Sequence, residues 1–208
     1  MGRWRQAWAS CRTIGHAPGP PRRPAPPRLP GPPRLHQGAG ESDLARFGVD
    51  RAPGGAAPDF TLQGIDGKPV TLAQLKGQVI FVNFWATWCP PCRSEMPSML
   101  ALGRELEARH PGKFRMLAVS VDDGWDPVRE FLNAPPFLGK LDGVTVALDD
   151  GLTATKAYYC AARGACPSQY QFPESYVIDR DGKLVAFVVG PREWTDPTAA
   201  AWLESLIK

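Results

Sequence analysis

Val79-Ile80-Phe81-Val82-Asn83-Phe84-Trp85-Ala86-Thr87-Trp88-Cys89-Pro90-Pro91-Cys92 is the stretch on which the rest of the chain depends. Residues 79–85 are almost all apolar, β-branched or aromatic, the pattern of a strand covered on both faces. Beyond it, Met96, Leu100, Leu102 and Leu106 recur at helical spacing, which predicts a helix over 93–109. Pro90 and Pro91 suit its first turn, where an N–H would lack an intrahelical partner anyway. A strand running straight into a helix tip thus carries Cys89 at the exposed end and Cys92 one turn behind. The helix N-terminus favours negative charge, so a Cys89 thiolate is stabilised there, and the two sulfurs can close a disulfide with little backbone movement.

Two blander readings of this pair compete with a redox role. A structural zinc site wants four ligands. After the pair the chain offers only Cys160 and Cys166, with five residues between them, and His110, so no metal is expected. A purely structural bridge is disfavoured because so short a loop constrains the unfolded chain very little. Redox chemistry of the dithiol is the better reading.

Three motifs carry a family resemblance, covering roughly residues 56–208. Phe84-Trp85-Ala86-Thr87-Trp88-Cys89-Pro90-Pro91-Cys92, with Pro97 five residues on, resembles the active-site segment of the thioredoxin superfamily. Phe172-Pro173-Glu174-Ser175 resembles that superfamily's loop with a cis-proline facing the dithiol. Ala57-Pro58-Asp59-Phe60-Thr61-Leu62 is similar to the opening of the TlpA/ResA and peroxiredoxin branches. With Glu95, the set resembles the TlpA/ResA-like thiol–disulfide oxidoreductases. One departure from thioredoxin is Asn83, where that family carries a buried aspartate six residues before the first cysteine. Another is a longer connection between Tyr159 and Pro173, which contains Cys160 and Cys166.

Composition divides the chain. Residues 1–40 hold nine of the 23 prolines, seven arginines and no acidic residue, and are read as a disordered tail. The chain's net charge of +3 therefore belongs to the tail, leaving −4 for residues 41–208 and no case for nucleic-acid binding by the fold. Trp8-Ala9-Ser10-Cys11 has the shape of a lipoprotein cleavage site but lacks an apolar run before it, so no signal peptide is legible. No run of about 18 apolar residues predicts a transmembrane segment. Residues 41–55 read as a linker and 56–208 as one domain.

Within that domain, short strands are expected at 60–62 and 70–72 as an N-terminal hairpin. Further strands are expected at 79–85, 114–121, 144–148, 175–178 and 184–189. Helices are expected from Asp126-Pro127, with Asp126 as N-cap, near 153–159, and from Asp196-Pro197 to the end. The fold class is α/β: a thioredoxin-like three-layer sandwich with a central mixed sheet and an N-terminal β-hairpin extension.

The expected function is thiol–disulfide exchange, with Cys89 attacking a substrate disulfide and Cys92 resolving the mixed disulfide. Electron flow toward reduction of protein disulfides is implied by the resemblance alone. Glu95, one turn past Cys92, is a candidate proton carrier; the plainer alternative is an exposed helix glutamate. Trp88, Phe172 and Pro173 are the candidate substrate-binding residues. Cys160–Cys166 is a candidate second disulfide. It would act as a staple, a relay to Cys89–Cys92, or two free thiols in a reducing compartment. No cofactor is expected. The partners are protein dithiol or disulfide substrates and a redox partner protein, and the molecule is expected to be a monomer. The resemblance implies an extracytoplasmic site of action, against the missing signal peptide. Two rivals are kept: a peroxiredoxin-like peroxidase and a copper-binding assembly protein on the same fold.

Overall fold

The structure is a computed structural model, and it describes residues 39–137, 141–166 and 168–208. The disordered-tail and leader readings for residues 1–38 lie outside that range. Eight strands form one mixed sheet: β1 (Val49–Arg51), β2 (Thr61–Gly64), β3 (Pro69–Thr71), β4 (Val79–Trp85), β5 (Phe114–Ser120), β6 (Val144–Leu148), β7 (Glu174–Ile178) and β8 (Leu184–Val189). Their spatial order is β1-β8-β7-β4-β5-β6-β2-β3. Among the described residues five α-helices accompany them: α1 (Glu41–Phe47), α2 (Pro90–Arg109), α3 (Trp125–Asn133), α4 (Thr153–Arg163) and α5 (Pro197–Ile207).

Strand β4 lies at the centre, parallel to β5 and antiparallel to β7. All seven of its residues are buried. Successive side chains point to opposite faces of a sheet, so both faces must be covered. On one face Phe81 meets Trp194 at 4.7 Å between ring centroids, Asn83 meets Glu95 of α2, and Trp85 meets Phe131 of α3 at 5.4 Å. On the other, Phe84 packs on Tyr158 of α4 at 5.8 Å. The result is the three-layer sandwich with a central mixed sheet that the sequence predicts, with the β2–β3 hairpin added beyond β6.

Three boundaries differ from expectation. Residues 41–55, read as a linker, carry α1 and β1, and β1 pairs with β8 through Val49↔Val188 to Arg51↔Ala186. Phe47 packs edge-on against Trp194 at 5.5 Å, so the short apolar patch in this segment is an anchor to the core. Helix α3 starts at Trp125 with Gly124 at its N-cap, placing Asp126 inside the first turn, where its charge meets the positive helix end. Helix α4 runs on through Arg163, so Cys160 sits on a helix and not in the following loop; Gly164 (φ 68°) ends it.

Candidate functional site

The site grows from the end of β4. Ala86-Thr87-Trp88 turn the chain from the strand into α2, and a buried carboxylate fixes that turn. Asp122, just past β5, accepts from the Thr87 N–H at 3.0 Å, the Thr87 hydroxyl at 2.6 Å and the Ser120 hydroxyl at 2.6 Å. Sequence reasoning missed Asp122. Its only signal was a Ser-X-Asp at the C-terminal end of a buried strand, which becomes meaningful once parallel pairing sets Ser120 opposite Trp85.

Cys89 is the N-cap of α2, and its sulfur accepts the Cys92 N–H at 3.3 Å. The two cysteines are bonded to each other, with Cα atoms 5.3 Å apart. Cys92 is fully buried and Cys89 is 5% exposed, so Cys89 is the residue of the pair that reaches the surface. Trp88 beside it is 63% exposed and is the large apolar side chain that stands in solvent among the described residues. Its ring meets that of Phe172 edge-on at 5.9 Å.

Phe172 and Pro173 reach this place through sheet register. β7 runs antiparallel to β4 with Glu174 opposite Phe84, so the residues preceding Glu174 lie at the end of β4 that leads to Cys89. The Phe172–Pro173 peptide bond is cis, and Pro173 is buried.

Glu95 is not the exposed helix glutamate of the plainer reading: it is only 4% exposed. Oε1 accepts from Asn83 Nδ2 at 2.9 Å, and Oε2 accepts from the Arg192 N–H and from Trp194 Nε1, both at 3.0 Å. Burial pushes its pKa above the ordinary carboxylate range, while the donated hydrogen bonds, led by Arg192, pull the other way without cancelling the shift. Asn83 also donates to Ser175 Oγ at 2.9 Å, tying the helix acid to β7. Arg192 and Trp194, on the β8–α5 loop, were not found from sequence, since nothing local marks that loop as a carboxylate clamp. The loop is itself held from outside, as Arg192 Nε donates to the Phe47 carbonyl at 2.6 Å.

Cys160 and Cys166 are joined as a second disulfide with Cα atoms 4.2 Å apart. Cys160 is half-buried on α4 and Cys166 is exposed. Among the described residues no cluster of three or more His, Cys, Asp or Glu could hold a metal ion, and no helix is long and apolar enough to cross a membrane.

A strand-to-helix Cys-Pro-Pro-Cys, faced by a cis-proline turn and backed by a buried acid, defines a thioredoxin-superfamily protein of the TlpA/ResA-like kind. Comparison with known proteins agrees. A family model described as Redoxin matches residues 52–203. The chain is 34% identical over 138 residues to the thiol-disulfide oxidoreductase ResA of Bacillus anthracis, covering 66% of this chain and 69% of the relative. ResA of Bacillus subtilis is 31% identical over 139 residues, covering 66% and 67%. Among solved structures, a putative thiol:disulfide interchange protein DsbE from Chlorobium tepidum superposes with a TM-score of 0.60 at 30% identity, covering 76% of this chain and 99% of that one. This chain belongs to the Redoxin family.

Proposed function

We propose that this thioredoxin-like oxidoreductase reduces disulfides in protein substrates outside the cytoplasm, using Cys89 and Cys92 as its dithiol. The observation that carries the reading is the placement of Cys89: an N-cap cysteine, the less buried of the pair, whose sulfur receives a backbone N–H and is bonded to a fully buried partner.

In the reduced protein, the Cys89 thiolate attacks one sulfur of a substrate disulfide. A Cys89–substrate bond forms, the substrate bond breaks, and the departing thiolate takes a proton. Cys92 then gives up its proton and attacks Cys89 Sγ, so Cys89–Cys92 closes and the second substrate sulfur leaves as a thiol. Two electrons pass to the substrate. The helix N-terminus stabilises the attacking thiolate. Glu95, one turn along α2 from Cys92, is a carboxyl whose proton affinity burial has raised, which suits it to exchange a proton near the dithiol. Trp88 and Phe172 offer an apolar surface beside Cys89. Among the described residues nothing hydrogen-bonds the Phe172 backbone, which leaves it free to pair with an extended substrate segment. A separate redox partner would re-reduce the pair, and a monomer suffices for every step.

The experiment mixes the reduced protein in parallel with glutathione disulfide and with hydrogen peroxide and follows closure of Cys89–Cys92. The disulfide should oxidise the protein and yield two glutathiones per closure, with Cys89→Ser inert. Faster oxidation by peroxide would favour the peroxidase reading and reject this one.

A further inference from the structure

Behind the Phe172–Pro173 turn lies a layer of contacts that the exchange chemistry does not use. The Tyr159 hydroxyl, on α4, accepts from the Gln171 N–H at 2.8 Å and donates to the Gln171 carbonyl. One turn further on, Arg163 Nη2 donates to Glu174 Oε1 at 2.6 Å, and the Tyr176 hydroxyl donates to the same oxygen at 2.8 Å. Gln171 and Glu174 bracket Phe172 and Pro173, so the last turn of α4 holds the substrate-facing turn at both ends. Tyr159 also meets the rings of Tyr170 at 5.0 Å and Phe172 at 6.5 Å, and the Arg163 guanidinium lies over Tyr159 at 4.8 Å. Burial, reinforced by the neighbouring Glu174 carboxylate, holds the Tyr159 phenol protonated well beyond its ordinary range, so it remains a donor.

Helix ends fray because their last carbonyls lack partners. Here the fraying turn is closed covalently: the Cys160–Cys166 bond spans Arg163 and Gly164. Glu174 is fully buried, and removing a partner from a buried charge is costly, so the ion pair persists only if the turn carrying Arg163 stays in place. Cys166 is exposed, so a soluble dithiol can reach this bond.

We propose that Tyr159 and Arg163 are positioning residues for the Phe172–Pro173 turn, and that the Cys160–Cys166 disulfide sets how firmly they hold it, making the grip on a polypeptide substrate dependent on the oxidation state of this second pair. The proposal rests on the exchange reading above. Opening the bond consumes one dithiol: two electrons and two protons pass to the Cys160 and Cys166 sulfurs, and the dithiol departs as a disulfide. The turn at α4 then frays, Gln171 and Glu174 lose fixed partners, and the Phe172 backbone no longer presents one edge. Small reagents, which need only the Cys89 sulfur, do not sense the change.

The test uses the fully oxidised protein and two reductants: a short unstructured peptide carrying two cysteines, and dithiothreitol. Quenching with an alkylating agent and mapping by mass spectrometry tells which disulfide has opened. Tyr159→Phe and the double variant Cys160→Ser/Cys166→Ser should each slow opening of Cys89–Cys92 by the peptide by about fivefold, the value of one net hydrogen bond. Their rates with dithiothreitol should match the unmodified protein. Tyr159→Phe leaves both disulfides in place and carries the test even if the double variant misfolds. Equal slowing with both reductants, or undiminished peptide rates, would overturn the proposal. Failure of either reductant to open Cys89–Cys92 in the unmodified protein would overturn the exchange reading and this inference with it.

Discussion

Asn83→Asp probes the contact between β4 and α2 most sharply. In place of an amide donor it sets a second carboxyl 2.9 Å from Glu95 Oε1 and 2.9 Å from Ser175 Oγ. The Ser175 hydroxyl can rotate to donate, so that contact survives with its polarity reversed. The contact to Glu95 cannot survive while both acids are ionised. At pH 8 the pair either forfeits this charge-assisted hydrogen bond, about 1.5–3 kcal/mol, or holds a proton against the solvent at a comparable cost. The loss should total about 3 kcal/mol at pH 8 and shrink on acidification, as protonation restores a donor. Glu95→Gln alone should cost about 1 kcal/mol or less, because the Asn83 amide can turn end for end to meet it. Combining the two changes swaps acid and amide. The new glutamine donates to the new aspartate and still accepts from the Arg192 N–H and Trp194 Nε1. The double variant should therefore sit within about 1 kcal/mol of the parent, with a coupling of about 2–3 kcal/mol in the double-mutant cycle. Urea unfolding of the oxidised proteins gives all four values. Strictly additive losses would refute the argument that this hydrogen bond ties the strand to the helix.

Glu95 also sets a pH dependence. Its folded-state pKa is raised, so the folded protein binds this proton more tightly than the unfolded chain does; stability is greatest below the ordinary carboxylate value and falls as pH climbs from there through the raised value. Glu95→Gln should remove that fall from urea midpoints and flatten the pH–rate profile of exchange, and an unchanged pair of profiles would return the side chain to a packing role. Trp194→Phe deletes one donor to the Glu95 carboxylate. It should cost about 1.5–3 kcal/mol at pH 8 and nearer 1 kcal/mol in acid, where the carboxyl is neutral, by the same unfolding assay. Asp122→Ala strands the Thr87 N–H and two hydroxyls. It should cost about 3 kcal/mol in thermal or urea unfolding and slow exchange at Cys89, since the turn into α2 loses its anchor.

What was legible in the chain follows from how local each signal is. The unbroken apolar run at residues 79–85 and the Met96–Leu106 spacing lie within single elements, and both survive folding unchanged. The Asp196 N-cap holds for the same reason, its side chain accepting from the Thr198 N–H two residues on. Segment 41–55 misleads because its helix is only seven residues long and buries no residue fully; Phe47 and Val49 acquire meaning from Trp194 and β8, more than 130 positions away. Likewise Glu95 can be placed by helical spacing near Cys92. Its burial, however, depends on Asn83, Arg192 and Trp194 converging from three other parts of the chain. Asn83 reads from sequence only as a lost acid; the structure places it as the donor that holds the acid supplied by α2. The Tyr159–Gln171 and Arg163–Glu174 contacts are hidden in the same way, across a connection whose length alone stands out.

The most direct measurement traps the intermediate. Reduced Cys92→Ser protein, mixed with glutathione disulfide and digested without reductant, should carry one glutathione on Cys89, while the Cys89→Ser counterpart carries none at Cys92. That asymmetry is what an N-cap cysteine that reaches the surface, backed by a fully buried partner, requires. Equal adducts at the two positions, or glutathione on Cys160 or Cys166 with Cys89 left free, would contradict the assignment of Cys89 as the attacking thiol.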